Sequence, residues 1–244
     1  NAKAIHLLGR TNYDHLNNLI YVNNKVLIPN GINIDSIPEL TKRREDEILF
    51  GTCSRIDIHM KGLDTLLKGF AQYCREGGNG ALQLIGDGEE LDQLKWMAVD
   101  LKIAPRVRFL GAKYDLEKFE CLNRVDCFTQ PSRNEGFPIS VLEAAAMRIP
   151  CLVSEETNVG SFIRQHEAGF VLQKNTPEEL AKEMHKAQHL YDAGRLSMLG
   201  LNARQMVRDR FTWESIAQEF IELYEMPLDQ WRIRQSEKYK KQMA

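Results

Sequence analysis

Two carboxylates eight residues apart, Glu135 and Glu143, offer the clearest chemistry in the chain. They lie in Pro131-Ser132-Arg133-Asn134-Glu135-Gly136-Phe137-Pro138-Ile139-Ser140-Val141-Leu142-Glu143-Ala144, which follows an apolar run, passes through a Gly/Pro turn and enters a helical pattern. If the whole stretch is helical, their backbones are about 12 Å apart. The opposed carboxylates of a glycosidase sit roughly 5–9.5 Å apart, so the pair does not suit hydrolysis across one bond. It suits two hydroxyl-rich ends of one elongated ligand. An anionic centre fits between them, because a strand-to-helix turn presents free amides and the positive end of the helix dipole. A solvent-facing Glu135 and a helix-surface Glu143 fit the same spacing.

A second candidate is Ser54-Arg55-Ile56-Asp57-Ile58-His59-Met60-Lys61-Gly62-Leu63-Asp64, which follows another apolar run. Arg55 and Lys61 are two cations that can neutralise a departing diphosphate, Arg through a bidentate fork. A solvated pair of loop cations is the plainer alternative. Leu84-Ile85-Gly86-Asp87-Gly88-Glu89-Glu90-Leu91 looks superficially like a dinucleotide fingerprint. Leu91 occupies the third glycine position, however, and a tight strand–helix turn accounts for both glycines.

These segments need rigid elements to hold them. Candidate strands are Val26–Ile28, Ile48–Cys53, Leu82–Ile85, Val107–Leu110, Cys127–Gln130, Cys151–Ser154 and Phe170–Leu172, β-rich runs mostly bounded by Gly, Pro, Asn or Ser. Between them, Leu63, Leu66, Leu67 and Phe70 mark one face of a helix, as do Leu91, Leu94, Met97 and Ala98, and then Leu142, Ala145 and Ala146. Short strands without polar alternation suit a parallel sheet covered on both faces. The alternation predicts an α/β fold, a doubly wound Rossmann-like parallel sheet with helices on both faces and a helical C-terminal segment. Thr176-Pro177-Glu178-Glu179 and Thr212-Trp213-Glu214-Ser215 read as two helix starts, the second helix ending near Pro227.

Composition narrows the function classes. The chain has 244 residues, 43% hydrophobic and 27% charged, with a net charge of −2, which excludes a strongly basic nucleic-acid binder. No apolar run reaches the roughly 18–20 residues of a membrane span. The five cysteines have no Cys-x2-Cys spacing and read as small buried hydrophobes in a reducing compartment. No Asp-x-Asp, His-Glu-x-x-His or Gly-x-Ser-x-Gly occurs, and His185 and His189 share a helix face without a third ligand, so no metal site is expected.

Taken in order, the segments resemble the family 4 retaining glycosyltransferases of GT-B fold, over roughly Lys25 to Tyr224. Val26-Leu27-Ile28-Pro29-Asn30-Gly31-Ile32 looks like the strand and turn opening their C-terminal, donor-binding domain. Ser54-Arg55…Lys61-Gly62-Leu63-Asp64 is similar to their phosphate-binding element. Leu84–Gly88 and Val107-Arg108-Phe109-Leu110-Gly111 follow in place, and Glu135-x7-Glu143 after Pro131-Ser132 is similar to their signature.

The resemblance implies that Arg55 and Lys61 hold the donor diphosphate and stabilise its departure. Glu135 would hydrogen-bond the transferred sugar. The amides of Gly136, Phe137 and Ile139 would meet the distal phosphate, with Gly86 and Ser132 in the donor site. Glu143 would bind ribose, and Val107, Arg108 and Phe109 would flank the base. Transfer would proceed with retention and without a metal cofactor, from a nucleotide sugar, with UDP favoured over GDP on family frequency. A sugar-nucleotide epimerase and a non-catalytic sugar-nucleotide-binding module are the alternatives.

The resemblance divides the chain into 1–24, the end of an acceptor-binding N-terminal domain; 25–227, the donor domain; and 228–244, a helix returning to that N-terminal domain. A glycan or lipid-linked acceptor would bind through the N-terminal domain, so this chain alone should transfer little. A cytoplasmic location follows, with peripheral association of the longer protein at the inner membrane face. Pro138 stands where the family often has Gly, Arg148 replaces the Gly usual before Ile149-Pro150, and Ser161 stands where Glu is frequent.

Overall fold

The computed structural model describes residues 4–11, 25–41, 46–227 and 229–231. Its centre is a six-stranded parallel sheet of order β5-β4-β3-β6-β7-β8. The strands are β3 (Leu49–Cys53), β4 (Ala81–Ile85), β5 (Val107–Phe109), β6 (Cys127–Gln130), β7 (Cys151–Ser154) and β8 (Gly169–Leu172). The order reverses between β3 and β6. In open α/β sheets a ligand crevice forms outside the carboxyl ends of the strands at such a switch point.

Two apolar cores lie on opposite faces. One packs Phe50, Cys127 and Leu152 under α1 (Leu63–Arg75), α2 (Leu91–Asp100) and α6 (Pro177–Asp192). The other packs Phe128, Cys151 and Val153 under α4 (Ile139–Ala146), α5 (Gly160–Gln165) and α7 (Leu196–Arg210), with Leu122 of α3 (Asp115–Leu122). Consecutive residues Cys127 and Phe128 serve opposite cores, as the two-residue period of a strand requires. This is why the strands read as continuous apolar runs. Leu63, Leu66, Leu67 and Phe70 are all buried, as their spacing predicts; Leu94 and Ala98 are too, while Leu91 and Met97 are only half-buried.

The C-terminal helices start where the sequence places them. The Thr176 side chain accepts from the Glu179 amide at 3.3 Å to open α6. The Thr212 hydroxyl accepts from the Ser215 amide at 3.2 Å to open α8 (Trp213–Glu225). The expected strand at Val26–Ile28 forms as β2 (Lys25–Leu27), but outside the large sheet. It pairs in parallel with β1 (Ile5–Leu7) in a separate two-stranded sheet. Val26, Ile28, Ile216 and Trp231 make a small third core there. Residues 12–24 and most of the expected 228–244 helix fall outside the described residues.

Candidate active site

β3 and β6 deliver the candidate residues to the switch point. After β3 the chain runs through Ser54 and Arg55 and turns back at Gly62 to start α1. Gly62 has φ +63°, and a Cβ there would lie 2.0 Å from the Pro131 carbonyl oxygen. Only glycine allows that approach, and the approach sets Lys61 beside the loop that follows β6. Arg133 locks the same junction from the other side. Its guanidinium donates to Asp64 Oδ1 at 2.6 Å and Oδ2 at 2.9 Å, to Thr65 Oγ1 at 2.9 Å and to the His59 carbonyl at 3.0 Å. Burial works against the charge on Asp64, but the hydrogen bonds and charge of Arg133 outweigh it and hold the carboxyl below its ordinary value.

Glu135 is the hub of a half-buried polar network. Its Oε1 accepts from Lys61 Nζ at 2.6 Å, Gln130 Nε2 at 2.7 Å and Ser132 Oγ at 3.1 Å. Gln130 is itself held by the Ser140 hydroxyl, which donates to Gln130 Oε1 at 2.9 Å. The loop backbone is pinned from outside. Asn30 donates to the Phe137 carbonyl at 3.0 Å, and Asn158 donates to the carbonyls of Glu135 and Gly136 at 2.9 and 3.0 Å. With its carbonyls engaged, the loop turns into α4, where Pro138 takes the N-cap position and offers no side-chain cap. The first amides of α4 are therefore not capped by the helix's own N-cap side chain.

Two cavities meet at Cys53, Ser54 and Arg55. One, of about 380 Å³, is lined by Lys61, Gln130, Glu135, Phe137, Pro138, Ile139 and Ser140. The other, of about 410 Å³, runs past Gly86, Asp87, Lys113 and Tyr114 to Lys118 and Glu143. Together they form a cleft with Glu135 in one arm, Asp87 and Glu143 in the other, and Arg55 where the arms join. Arg55 is exposed and pairs with Asp57 at 3.0 Å. Glu143, one turn into α4, accepts from Lys118 Nζ at 2.7 Å. Burial, the largest influence, pushes the Cys53 thiol between the arms up to about 11.

The structure thus gathers Arg55, Lys61, Glu135, Phe137, Ile139, Glu143 and Gly86 around one cleft, with Ser132 bonded to Glu135 and Gly136 in the pinned loop. It does not bring Val107, Arg108 or Phe109 to the cavity lining. They form edge strand β5, and the wall beyond Gly111 is made by Ala112, Lys113 and Tyr114. Sequence reasoning missed Lys118, Gln130, Ser140, Asn30 and Asn158. Asn30 and Ser140 lie within recognised segments but were given no role there, and each of the five reaches the site through a partner distant in sequence or across the loop. Among the described residues no group of His, Cys, Asp and Glu could hold a metal ion, and no helix is long and apolar enough to cross a membrane.

A family model described as "Glycosyl transferases group 1" matches residues 33–206, which span the sheet from before β3 to α7 and include the whole cleft. The chain belongs to this glycosyltransferase family. Among curated relatives, it is 27% identical over 207 residues to a GDP-mannose-dependent alpha-(1-6)-phosphatidylinositol monomannoside mannosyltransferase of Mycobacterium tuberculosis, covering 78% of this chain and 53% of that protein. Among solved structures, sucrose-phosphate synthase from Thermosynechococcus elongatus superposes with a TM-score of 0.79 at 22% identity, over 92% of this chain and 58% of that one. Anabaena HepE in complex with UDP and glucose does so with a TM-score of 0.75 at 19% identity, over 93% and 64%. These likenesses show the fold, the doubly wound parallel sheet of the glycosyltransferase. The chain spans about half the length of the curated relatives it matches.

Proposed function

We propose that this glycosyltransferase chain is the donor-binding half of an enzyme that moves a hexosyl group from a nucleoside diphosphate sugar to an acceptor with retention of configuration. The observation that carries the reading is the two-armed cleft. Its arms end in Glu135 and Glu143, with Arg55 where they join and the α4 terminus alongside. A sugar in the Glu135 arm and a ribose in the Glu143 arm leave the diphosphate between Arg55, Lys61 and the amides of Gly136, Phe137 and Ile139. Pro138 contributes no amide. The base lies beyond ribose, along Gly86 and Ala112–Tyr114, beneath the end of the Val107–Phe109 strand.

Charge develops on the diphosphate as the sugar–phosphate bond breaks, so cations already in place favour departure without a metal cofactor. Lys61 must shift its charge from Glu135 toward the phosphate as Glu135 takes up sugar hydroxyls. Retention follows if the leaving phosphate takes the proton from the acceptor on the same face. UDP is the favoured nucleotide, though the mannosyltransferase relative is named as GDP-mannose-dependent. The acceptor, a glycan or lipid-linked sugar, meets this cleft from a second, N-terminal domain. The longer protein works in the cytoplasm, peripherally at the inner membrane face.

A thermal-shift panel of UDP- and GDP-sugars tests the donor, because a ligand at a hundredfold excess over Kd adds about 2.7 kcal/mol. No shift with any of them overturns the donor assignment. Proton NMR of the linkage formed by the longer protein tests the stereochemistry, and an inverted linkage overturns retention.

A further inference from the structure

We infer that Lys118 is a positioning residue for nucleotide recognition, holding Glu143 oriented so that one carboxylate oxygen is kept for the ribose hydroxyls. The inference rests on the assignment of the Glu143 arm to the nucleoside. Lys118 lies on α3 and Glu143 on α4, 25 residues apart, and both line the same cavity. Lys118 Nζ donates to Glu143 Oε1 at 2.7 Å, and their side chains are only 21% and 16% exposed. A charge-assisted bond in such a half-desolvated site is both strong and directional. Glu143 Oε2 carries no hydrogen bond among the described residues, so this oxygen remains as an acceptor.

Lys118 is itself fixed. Its ammonium sits 4.6 Å from the centroid of the Phe119 ring, a cation–π contact. The neighbouring cations differ. Lys113 is tied to Glu117 at 2.5 Å and Arg55 to Asp57 at 3.0 Å. In the second arm, Lys118 is therefore the cation that faces Glu143. Without it, the carboxylate loses the cation paired with it beside the half-buried Cys53 thiol. A half-buried carboxylate left without its partner turns toward solvent, and that turn loses the ribose acceptor. A cation bound to the phosphates instead would act on all nucleotides alike. One acting through Glu143 would matter only where ribose hydroxyls are present, and this difference makes the role testable.

The experiment is calorimetry of UDP, GDP and their 2′,3′-dideoxy analogues with the protein and its Lys118→Met, Lys118→Arg, Glu143→Gln and double Lys118→Met/Glu143→Gln variants. Lys118→Met is expected to weaken the ribonucleotide about tenfold, the scale of one hydrogen bond to a charged group. The dideoxy analogue should change less than twofold. Lys118→Arg should restore most of the affinity, and the double variant should bind no worse than Glu143→Gln. Unchanged ribonucleotide affinity in Lys118→Met, or an equal loss for ribo- and dideoxynucleotide, overturns the positioning role and leaves the nucleoside assignment standing. Failure of the unmodified protein to bind either nucleotide overturns both.

Discussion

Lys61 and Glu135, 74 residues apart, are joined by a 2.6 Å ion pair between side chains that are 20% and 11% exposed. Both line the same arm of the cleft, so the cation proposed for phosphate and the carboxylate proposed for the sugar neutralise each other. Lys61→Ala strands a mostly buried carboxylate, and breaking a buried pair by removing one partner costs about 3–5 kcal/mol. The remaining bonds from Gln130 and Ser132 should hold the loss toward the lower figure. Adding Glu135→Gln to Lys61→Ala should recover most of the stability in urea melts, while transfer by the longer protein stays down by about 10²–10³, as for a lost electrostatic donor. Recovery of transfer together with stability would mean that the pair is only structural.

Arg133 should act on the fold before it acts on catalysis. Its fork on Asp64 ties the loop after β6 to the start of α1. Arg133→Ala is expected to cost about 1.5–3 kcal/mol, the scale of hydrogen bonds to charged groups. Arg133→Lys should recover little of it, since an ammonium cannot make the fork. The Asp64 carboxyl is held below its ordinary value of 3.8, so the pair's contribution is complete above that pH and is lost as pH falls through the depressed value. The stability gap between wild type and Arg133→Ala should therefore close in acid, which equilibrium unfolding from pH 7 to pH 2 would follow. A gap that stays constant to pH 2 would count against the pair.

Gly86 should tolerate no side chain. Its φ is +147°, and a Cβ would lie 1.8 Å from the Ser54 carbonyl oxygen, where β3 and β4 leave the sheet. Gly86→Ala has to spread the cleft floor at a cost of about 1–3 kcal/mol. It should weaken nucleotide binding as well as stability, measured by calorimetry and thermal melting on the same sample. Full nucleotide affinity in Gly86→Ala would place the base elsewhere.

The Cys53 thiol, raised to about 11, should remain protonated at neutral pH. Alkylation by iodoacetamide, followed by peptide mass spectrometry, should be slow at pH 7.5 and accelerate only above pH 9, because the thiolate is the nucleophile. A bound nucleotide should slow it further. Fast labelling at pH 7.5 would contradict the burial between the two arms.

Much of this was legible in the chain itself. The central strands were readable because they are buried on both faces, so Cys127–Gln130 and Cys151–Ser154 carry no charge and no alternation of exposed polar residues. The cleft residues were readable where a strand end is followed by a distinctive turn, as at Arg55–Gly62 and Ser132–Pro138. The pairing of β2 was not readable because a three-residue strand carries no signal about its partner; pairing with β1 is decided in space. Lys118 and Asn158 were invisible for a related reason. One Lys on a helix and one Asn after a strand become site residues only when α3 meets α4 and when the loop after β7 meets Gly136.

The central claim is that the two carboxylates hold different parts of one nucleotide sugar, and calorimetry of bare nucleoside diphosphate against Glu135→Ala and Glu143→Ala tests it most directly. Glu143→Ala is expected to lose about tenfold or more in affinity for UDP or GDP, having lost hydrogen bonds to a charged group. Glu135→Ala should stay within twofold of wild type for the bare nucleotide and weaken only the sugar-bearing form. Loss of bare-nucleotide binding in Glu135→Ala, with Glu143→Ala unaffected, would contradict the account.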